Sequence, residues 1–352
     1  MNIFSPHWYH LIAQMHFSTL ILALLSTVSA LAAPTREKRA SKLSFFGVNE
    51  SGPEFGEGNL PGVAGTDYTF PTLSTYDTFI DKGFNAFRLN VLMERLSPDS
   101  ITGALDSTYL GKIQEQVEYV TGKGAYILIS PHNFGRYNGA IITDATAFGI
   151  FWSNVATEFK SNSLVIFDTN NEFHDEGGQN VADLNQAAIT AIRNAGATTQ
   201  YIAVEGNAYT GAWTWTTQTG TDGLTNADTM GSLTDSSGKL LFEMHQYLDS
   251  DGSGTSGTCV SSTIGSERLA DATDWLRSNG KKGLIGEFAG GVNDVCEAAV
   301  KDMLAFLDDN SDVWEGALWW AAGPWWSDYM FSVEPTDGPA YSTYVPLIAQ
   351  YE

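Results

Sequence analysis

The fold is decided by a strand, a helix and a second strand in the middle of the chain: AYILIS (125–130), ATAFGIFWSNVATEFK (145–160) and LVIFDTN (164–170). The two short runs are rich in apolar and β-branched residues, which is typical of strands buried on both faces. The run between them carries apolar residues at helical spacing. Strands joined by a long helical crossover pair in parallel. This stretch therefore predicts a β-α-β unit.

The same alternation continues in both directions from that unit. Helical stretches separate six further strand-like runs, FFGVNE (45–50), NAFRLNV (85–91), YIAVEG (201–206), LLFEMHQY (240–247), KGLIGEF (282–288) and EGALWW (315–320). Several helical stretches end at a glycine, as C-capped helices do: Gly122, Gly196 and Gly280. Eight such units predict an α/β protein, a single (β/α)8 TIM barrel. The alternative is an open doubly wound sheet, but no strand leads into a G-x-G-x-x-G loop.

The N-terminal region has the pattern of a secretory signal. From Met15, an apolar run of about ten residues leads to an A-x-A pattern that ends at Ala32. The run is shorter than the roughly 20 residues that a membrane-spanning helix needs. We expect residues 1–32 to be a signal peptide, with a true start at Met15 as an alternative. Residues 33–39, which end in a Lys-Arg pair, would be a propeptide, and 40–352 the catalytic domain.

Charge restricts the classes of partner. The chain of 352 residues has 18 Lys and Arg against 41 Asp and Glu, a formal net charge of −23. The acidic residues are dispersed, and a strongly acidic surface disfavours nucleic acid and anionic membranes as partners. We expect a secreted, extracellular monomer that acts on a neutral substrate and does not bind a membrane in its mature form.

The chain contains two cysteines, Cys259 and Cys296. In an oxidising compartment an even count suggests a bridge, and two free thiols are the alternative. Two cysteines without a neighbouring His-rich cluster do not make a thiolate metal site. We therefore predict a Cys259–Cys296 disulfide, and no metal or organic cofactor.

All eight predicted strands end in polar or aromatic residues, at the end of a barrel where active sites lie. Two of these are glutamates: Glu172, which follows Asn171, and Glu287, about 115 positions later. One such Glu is usually a solvated loop residue, but two carboxyl groups that meet across a pocket are the minimum for glycoside hydrolysis. The other candidates are Asn49, Glu50, Ser51, Arg88, Asn90, His132, Asn133, Asn207, Tyr209, His245, Tyr247, Trp319 and Trp320.

Several motifs at these strand ends resemble glycoside hydrolase family 5, in particular its fungal endo-β-1,4-glucanases without a cellulose-binding module. They are FRLN (87–90), PHN (131–133), NNE (170–172), HQY (245–247), GEF (286–288) and WWAAGPWW (319–326). The resemblance covers the chain from about Phe45 to the C-terminus. It implies a retaining enzyme with Glu172 as acid/base and Glu287 as nucleophile.

The resemblance also implies roles for the surrounding residues. Asn171 would bind the sugar 2-hydroxyl, and Arg88 and Tyr247 would flank the nucleophile. His132 and His245 would shape the −1 subsite, above a floor formed by Trp320. Asn207 and Tyr209 are further substrate-binding candidates from their place after the fifth strand.

Aromatic residues in loops after the strands predict platforms for a β-linked glucan: Tyr137, Tyr209, Trp213, Trp215, Trp325 and Trp326. The sequence therefore favours a secreted endo-β-1,4-glucanase. Mannan, xyloglucan and mixed-linkage β-glucan are alternative substrates, because specificity lies in loop shape. A catalytically inactive carbohydrate-binding barrel is an alternative of another class, which the presence of both glutamates disfavours.

Overall fold

The protein is a closed barrel of eight parallel strands in the computed structural model, which describes residues 43–351. The barrel strands are β1 (Phe45–Glu50), β2 (Ala86–Val91), β3 (Tyr126–Pro131), β6 (Val165–Asp168), β7 (Tyr201–Glu205), β8 (Leu240–Tyr247), β9 (Gly283–Ala289) and β10 (Trp314–Ala322). A short antiparallel hairpin, β4 (Arg136–Tyr137) and β5 (Ala140–Ile141), follows β3. Closure between β1 and β10 confirms the TIM barrel and excludes the open sheet.

Helices connect and cover the strands. Those in the described range are α1 (Leu73–Ile80), α2 (Met93–Leu96), α3 (Ser107–Gly122), α4 (Ala145–Phe159), α5 (Gly178–Asn194), α6 (Asn226–Thr229), α7 (Ile264–Asn279), α8 (Asp294–Asp309) and α9 (Tyr341–Ile348). Gly280 ends α7 in the left-handed region, with φ of 61°, as the sequence predicts. After α3, however, Gly124 takes the positive φ of 85°, and Gly122 is the last residue of the helix.

The interior of the barrel has an apolar layer near the N-terminal ends of the strands. We call it the apolar ring. Every barrel strand contributes one buried side chain to it, namely Phe45, Ala86, Leu128, Ile166, Ala203, Leu241, Leu284 and Leu318. Side chains on one face of a strand recur every second residue. Two residues further along β2, β6, β7 and β8, the interior side chains are Arg88, Asp168, Glu205 and Glu243, which we call the polar layer.

Strand β9 departs from this alternation at Gly286. Its pairing with β8 passes from Met244↔Ile285 to His245↔Glu287, which leaves Gly286 as an extra residue. A bulge of this kind re-aims the side chains that follow it. As a result, both Leu284 and Glu287 face the interior, although they are an odd number of residues apart. A Cβ atom at Gly286 would overlap the Glu243 carboxylate, so only glycine fits there.

A disulfide joins Cys259, in the loop after β8, to Cys296 in α8, as predicted. The predicted signal peptide (1–32) and propeptide (33–39) lie outside the described residues. Among residues 43–351, the structure has no helix with the length and apolar character that a membrane crossing requires.

Candidate active site

Arg88 is the fully buried centre of the site at the C-terminal ends of the strands. Its Nε lies 2.8 Å from Asp168, its Nη1 lies 2.8 Å from Glu287, and its Nη2 lies 2.9 Å from Glu205. Glu243 Oε1 lies 2.9 Å from Nε. Burial alone would lower the pKa of Arg88, but these carboxylates raise it well above its usual value. Arg88 is therefore a fixed positive charge among four acids.

Glu287 is held from two sides. Arg88 Nη1 donates to its Oε1, and the Tyr247 hydroxyl donates to its Oε2 at 2.7 Å. Burial and the adjacent Glu287 raise the pKa of the Tyr247 phenol, so the hydroxyl keeps its proton and remains a donor. The Glu287 side chain is only 4% exposed. Its carboxylate is thus oriented and its negative charge stabilised.

Glu172 lies opposite, in the loop that follows β6. Its backbone is in the left-handed region, with φ of 48°, which is uncommon for a non-glycine residue. Its N–H donates to Glu205 Oε2 at 2.7 Å, and its Oε1 lies 2.7 Å from His245 Nδ1. Oxygens of Glu172 and Glu287 and a ring nitrogen of His245 all lie within 4.8 Å of one another.

The two histidines of the site differ in charge. Burial alone would lower the pKa of His245, but Glu287, Glu205 and the hydrogen bond to Glu172 raise it well above its usual value. Burial lowers the pKa of His132 to about 3, so this ring is neutral. His132 stacks on Trp320 at 5.3 Å between ring centroids, with 15° between the planes. The stacked pair forms a flat wall beside the carboxylates.

The asparagines predicted for the site have different positions. Asn171 accepts from Arg88 Nη2 at 2.8 Å, and its Nδ2 has no hydrogen-bond partner in the described part of the chain. That donor is therefore available to a ligand. Asn207 instead donates to the Glu176 carbonyl at 2.6 Å and accepts from Ala208 N–H, so both ends of its amide stabilise the loop after β7.

A cleft of 510 Å³ extends from Glu172 past His245 and Tyr247. Two aromatic residues in its lining are well exposed, Tyr209 at 51% and Trp213 at 43%. Tyr209 stacks on His174 at 4.5 Å, and Arg268 lies 4.0 Å from the centroid of the Trp213 ring. The interpretation of Trp215 as a further platform is wrong, because its side chain is fully buried and packs on Trp275.

Three buried acids of the site were not among the predicted residues: Asp168, Glu205 and Glu243. Each ends or follows an apolar run, in LVIFD, YIAVE and LLFE, where a carboxylate reads as the start of a loop. Their spacing could have predicted that they face the barrel interior. Each lies two residues after a member of the apolar ring and therefore on the same face of its strand.

Two groups of side chains in the described range have a spacing that could suit a metal ion. They are Glu172, His245 and Glu287, and Glu205, Glu243 and His245. Arg88 already bonds Glu287 and Glu205, so a cation of the protein itself balances charge in both groups. That the protein needs no metal stays a prediction.

A closed barrel with two facing glutamates at its C-terminal end defines the class of barrel glycosidases. The sequence model described as Cellulase (glycosyl hydrolase family 5) matches residues 48–323. The chain belongs to glycosyl hydrolase family 5.

Two curated proteins and one solved structure are similar to this chain over most of its length. Endo-beta-1,4-glucanase B of Emericella nidulans is 57% identical over 337 residues, which cover 96% of this chain and 99% of that protein. Endoglucanase 3 of Humicola insolens is 54% identical, over 88% of this chain and 78% of its own length. The structure of XacCel5A in complex with cellopentaose aligns with a TM-score of 0.84 at 40% identity, over 88% of this chain and all of that one.

Proposed function

We propose that this protein is a secreted endo-β-1,4-glucanase that hydrolyses internal β-1,4-glucosidic bonds with retention of configuration. The observation that carries the proposal is the separation of the two carboxylates, since an oxygen of Glu172 and one of Glu287 lie within 4.8 Å. Carboxyl groups are about 5–5.5 Å apart in retaining glycosidases and about 6.5–9.5 Å apart in inverting ones. The short separation supports a double displacement.

In the first step, Glu287 attacks the anomeric carbon while the bond to the glycosidic oxygen breaks and Glu172 gives its proton to that oxygen. The leaving chain departs with a free hydroxyl, and the sugar remains on Glu287 as an ester. In the second step, Glu172 takes a proton from a water whose oxygen attacks the anomeric carbon, and the bond to Glu287 breaks. Glu172 thus regains the proton with which it began.

The contacts of Glu287 suit the nucleophile. Donors from Arg88 and Tyr247 hold one oxygen each, which fixes the direction of attack and stabilises the carboxylate when it leaves again. The partial exposure of Glu172, at 17% of its side chain, suits a group that must meet both a leaving oxygen and a water. These contacts support the assignment of the two roles.

Neighbouring residues would hold the sugar. The free Nδ2 of Asn171 can donate to a 2-hydroxyl, and such a hydrogen bond strengthens in the transition state. Trp320, stacked on His132, would form the floor beneath the reacting sugar. Exposed rings at Tyr209, Trp213 and Trp325 would contact flat faces of neighbouring sugars. This arrangement supports a β-linked glucan as substrate.

The name of the Emericella nidulans relative and the bound cellopentaose of XacCel5A favour β-1,4-glucan over mannan or xyloglucan. The disulfide fits an oxidising, extracellular compartment. We further propose that the enzyme acts as a monomer.

The test compares carboxymethyl cellulose, glucomannan, galactomannan, xyloglucan and xylan as substrates in a reducing-sugar assay. We expect the highest rate on carboxymethyl cellulose. Proton NMR of the first product formed from cellopentaose should show the β-anomer. An initial α-anomer would contradict retention, and a higher rate on a mannan would contradict the proposed substrate.

A further inference from the structure

Glu205 is a fully buried acid whose carboxylate contacts the main chain of the candidate acid/base, Glu172. Its Oε2 accepts the Glu172 N–H at 2.7 Å, and its Oε1 accepts from Arg88 at 2.9 Å. The same carboxylate lies 3.9 Å from His245 Nε2, on the far side of the ring that bonds the Glu172 side chain. One side chain thus reaches both the backbone and, through His245, the carboxylate of Glu172.

Glu243 lies beside Glu205 and has different hydrogen bonding. Neither of its oxygens receives a hydrogen bond within the described residues, although Arg88 Nε is 2.9 Å away. Burial raises the pKa of both Glu205 and Glu243. Donors stabilise an ionised carboxylate, and Glu205 has one at each oxygen. Glu205 is therefore the carboxylate of the pair that hydrogen-bond donors hold in place.

We propose that Glu205 is the positioning residue of the acid/base, which holds the Glu172 backbone in its left-handed conformation and faces the His245 ring that bonds the Glu172 side chain. The inference rests on the proposed function of Glu172. The ring bonds Glu172 at Nδ1, and its Nε2 lies 3.9 Å from Glu205 and 3.8 Å from Glu243. Glu172 is then held in a single orientation.

Several titratable or charged groups share this environment and contribute to any pH dependence. Those that face Glu205 or His245 are Arg88 on β2, His132 after β3, Asp168 and Glu172 on and after β6, Glu243 on β8 and Glu287 on β9. A neutral amide in place of Glu205 removes one negative charge from this set. The proton on His245 is then lost more readily, so activity that depends on the charged ring is lost at a lower pH.

The test compares Glu205→Gln with Glu54→Gln, a matched change at another buried glutamate that accepts a backbone N–H. Glu54 lies in the loop after β1 and accepts the Gly52 N–H at 2.7 Å. The substrates are cellopentaose, whose leaving group needs a proton, and 2,4-dinitrophenyl β-cellobioside, whose leaving group does not. For Glu205→Gln we expect kcat/KM to fall about 100-fold on cellopentaose and less than about tenfold on the aryl glycoside. Glu54→Gln should retain activity on both.

The proposal would be overturned if kcat/KM fell equally on both substrates and the basic limb of the pH–activity profile did not move. Glu205 would then have only a structural role. A larger loss in Glu243→Gln than in Glu205→Gln would overturn the choice of Glu205 as the positioning residue. If Glu205→Gln does not fold, ¹⁵N NMR of the wild-type imidazoles decides instead. We expect both ring nitrogens of His245, assigned by its loss in His245→Gln, to remain protonated at pH 7, and a neutral ring would overturn the proposal.

These outcomes can be separated from failure of the proposed function. A wild-type enzyme without activity on cellopentaose would contradict the proposed glucanase. An active wild type together with a fully active Glu205→Gln would contradict only the role of Glu205.

Discussion

Two layers inside the barrel are separated by only two residues along each strand, yet they differ in physical character. The apolar ring removes hydrocarbon from water, which stabilises by about 25 cal/mol per Å². The polar layer buries Arg88 with several carboxylates, and each buried ion costs several kcal/mol unless it is well paired. The apolar ring therefore stabilises the barrel, whereas the polar layer supplies its chemistry at a cost in stability.

The largest effect should follow from a change where the polar layer meets substrate. Glu287→Ala removes the nucleophile, so we expect turnover of an aryl β-cellobioside to fall by about 10⁴-fold or more. Added azide should restore turnover by attack in the vacated space and give the α-glycosyl azide. The rate and the anomer are measured by product release and proton NMR.

Glu172→Ala is the matched control for that experiment. Aryl glycosides with good leaving groups should still form the ester on Glu287, and azide should intercept it as the β-glycosyl azide. Opposite anomers in the two variants would reverse the assigned roles. Full activity on polymer in both variants would show that the chemistry does not depend on this layer.

A pair of substitutions compares the layers directly. Arg88→Met leaves several buried carboxylates without their positive partner. We therefore expect the free energy of unfolding to fall by about 3–5 kcal/mol and activity to be lost. Leu241→Ala leaves a cavity in the apolar ring and should cost about 2–5 kcal/mol, with kcat within about threefold of wild type. Urea unfolding and kcat are measured on the same samples. An active Arg88→Met would break the distinction between the layers.

The disulfide lies outside both layers. Its removal tests whether stability and activity depend on the restraint of the loop after β8. Replacement of Cys259 and Cys296 by serine should lower the free energy of unfolding by about 3–4 kcal/mol in the chain-entropy model. We expect kcat on an aryl cellobioside to change little in the folded variant. Thiol titration of denatured, unreduced wild type should find no free thiol, and two reactive thiols would contradict the bridge.

His132 should make a smaller contribution to the free energy of unfolding, and this contribution depends on pH. Its pKa is lowered by burial to about 3, against about 6.5 in an unfolded chain. Between these values the unfolded state binds one more proton, so stability falls as pH falls, by up to about 1.4 kcal/mol per pH unit. His132→Phe keeps a ring against Trp320 and removes the proton, so its urea stability should decline less between pH 7 and pH 4. Parallel curves for the two proteins would contradict the neutral histidine.

The architecture was predictable because local patterns determine it. Strands predicted at 85–91 and 282–288 are found at Ala86–Val91 and Gly283–Ala289, since apolar runs between helical stretches leave few alternatives. The placement of Glu172 and Glu287 at one end of the barrel follows from parallel strands. Their proximity to Arg88 follows from closure of the barrel.

Other features depend on contacts between distant strands and could not be predicted. Asp168, Glu205 and Glu243 appear as ordinary strand ends until a closed barrel directs them at one guanidinium. Asn207 is a residue type common in binding sites, but its amide bonds main-chain atoms of Glu176, in the loop after β6, and of Ala208. Trp215 lies in a loop by sequence, and only the packing of α7 shows that it is buried.

Because β9 contains one extra residue, Gly286, the side of the strand on which Glu287 lies depends on the number of residues in that strand. A regular strand through positions 283–289 would turn Glu287 toward the helices. Deletion of one residue in this strand therefore exchanges its inner and outer faces, a change that no side-chain substitution can reproduce.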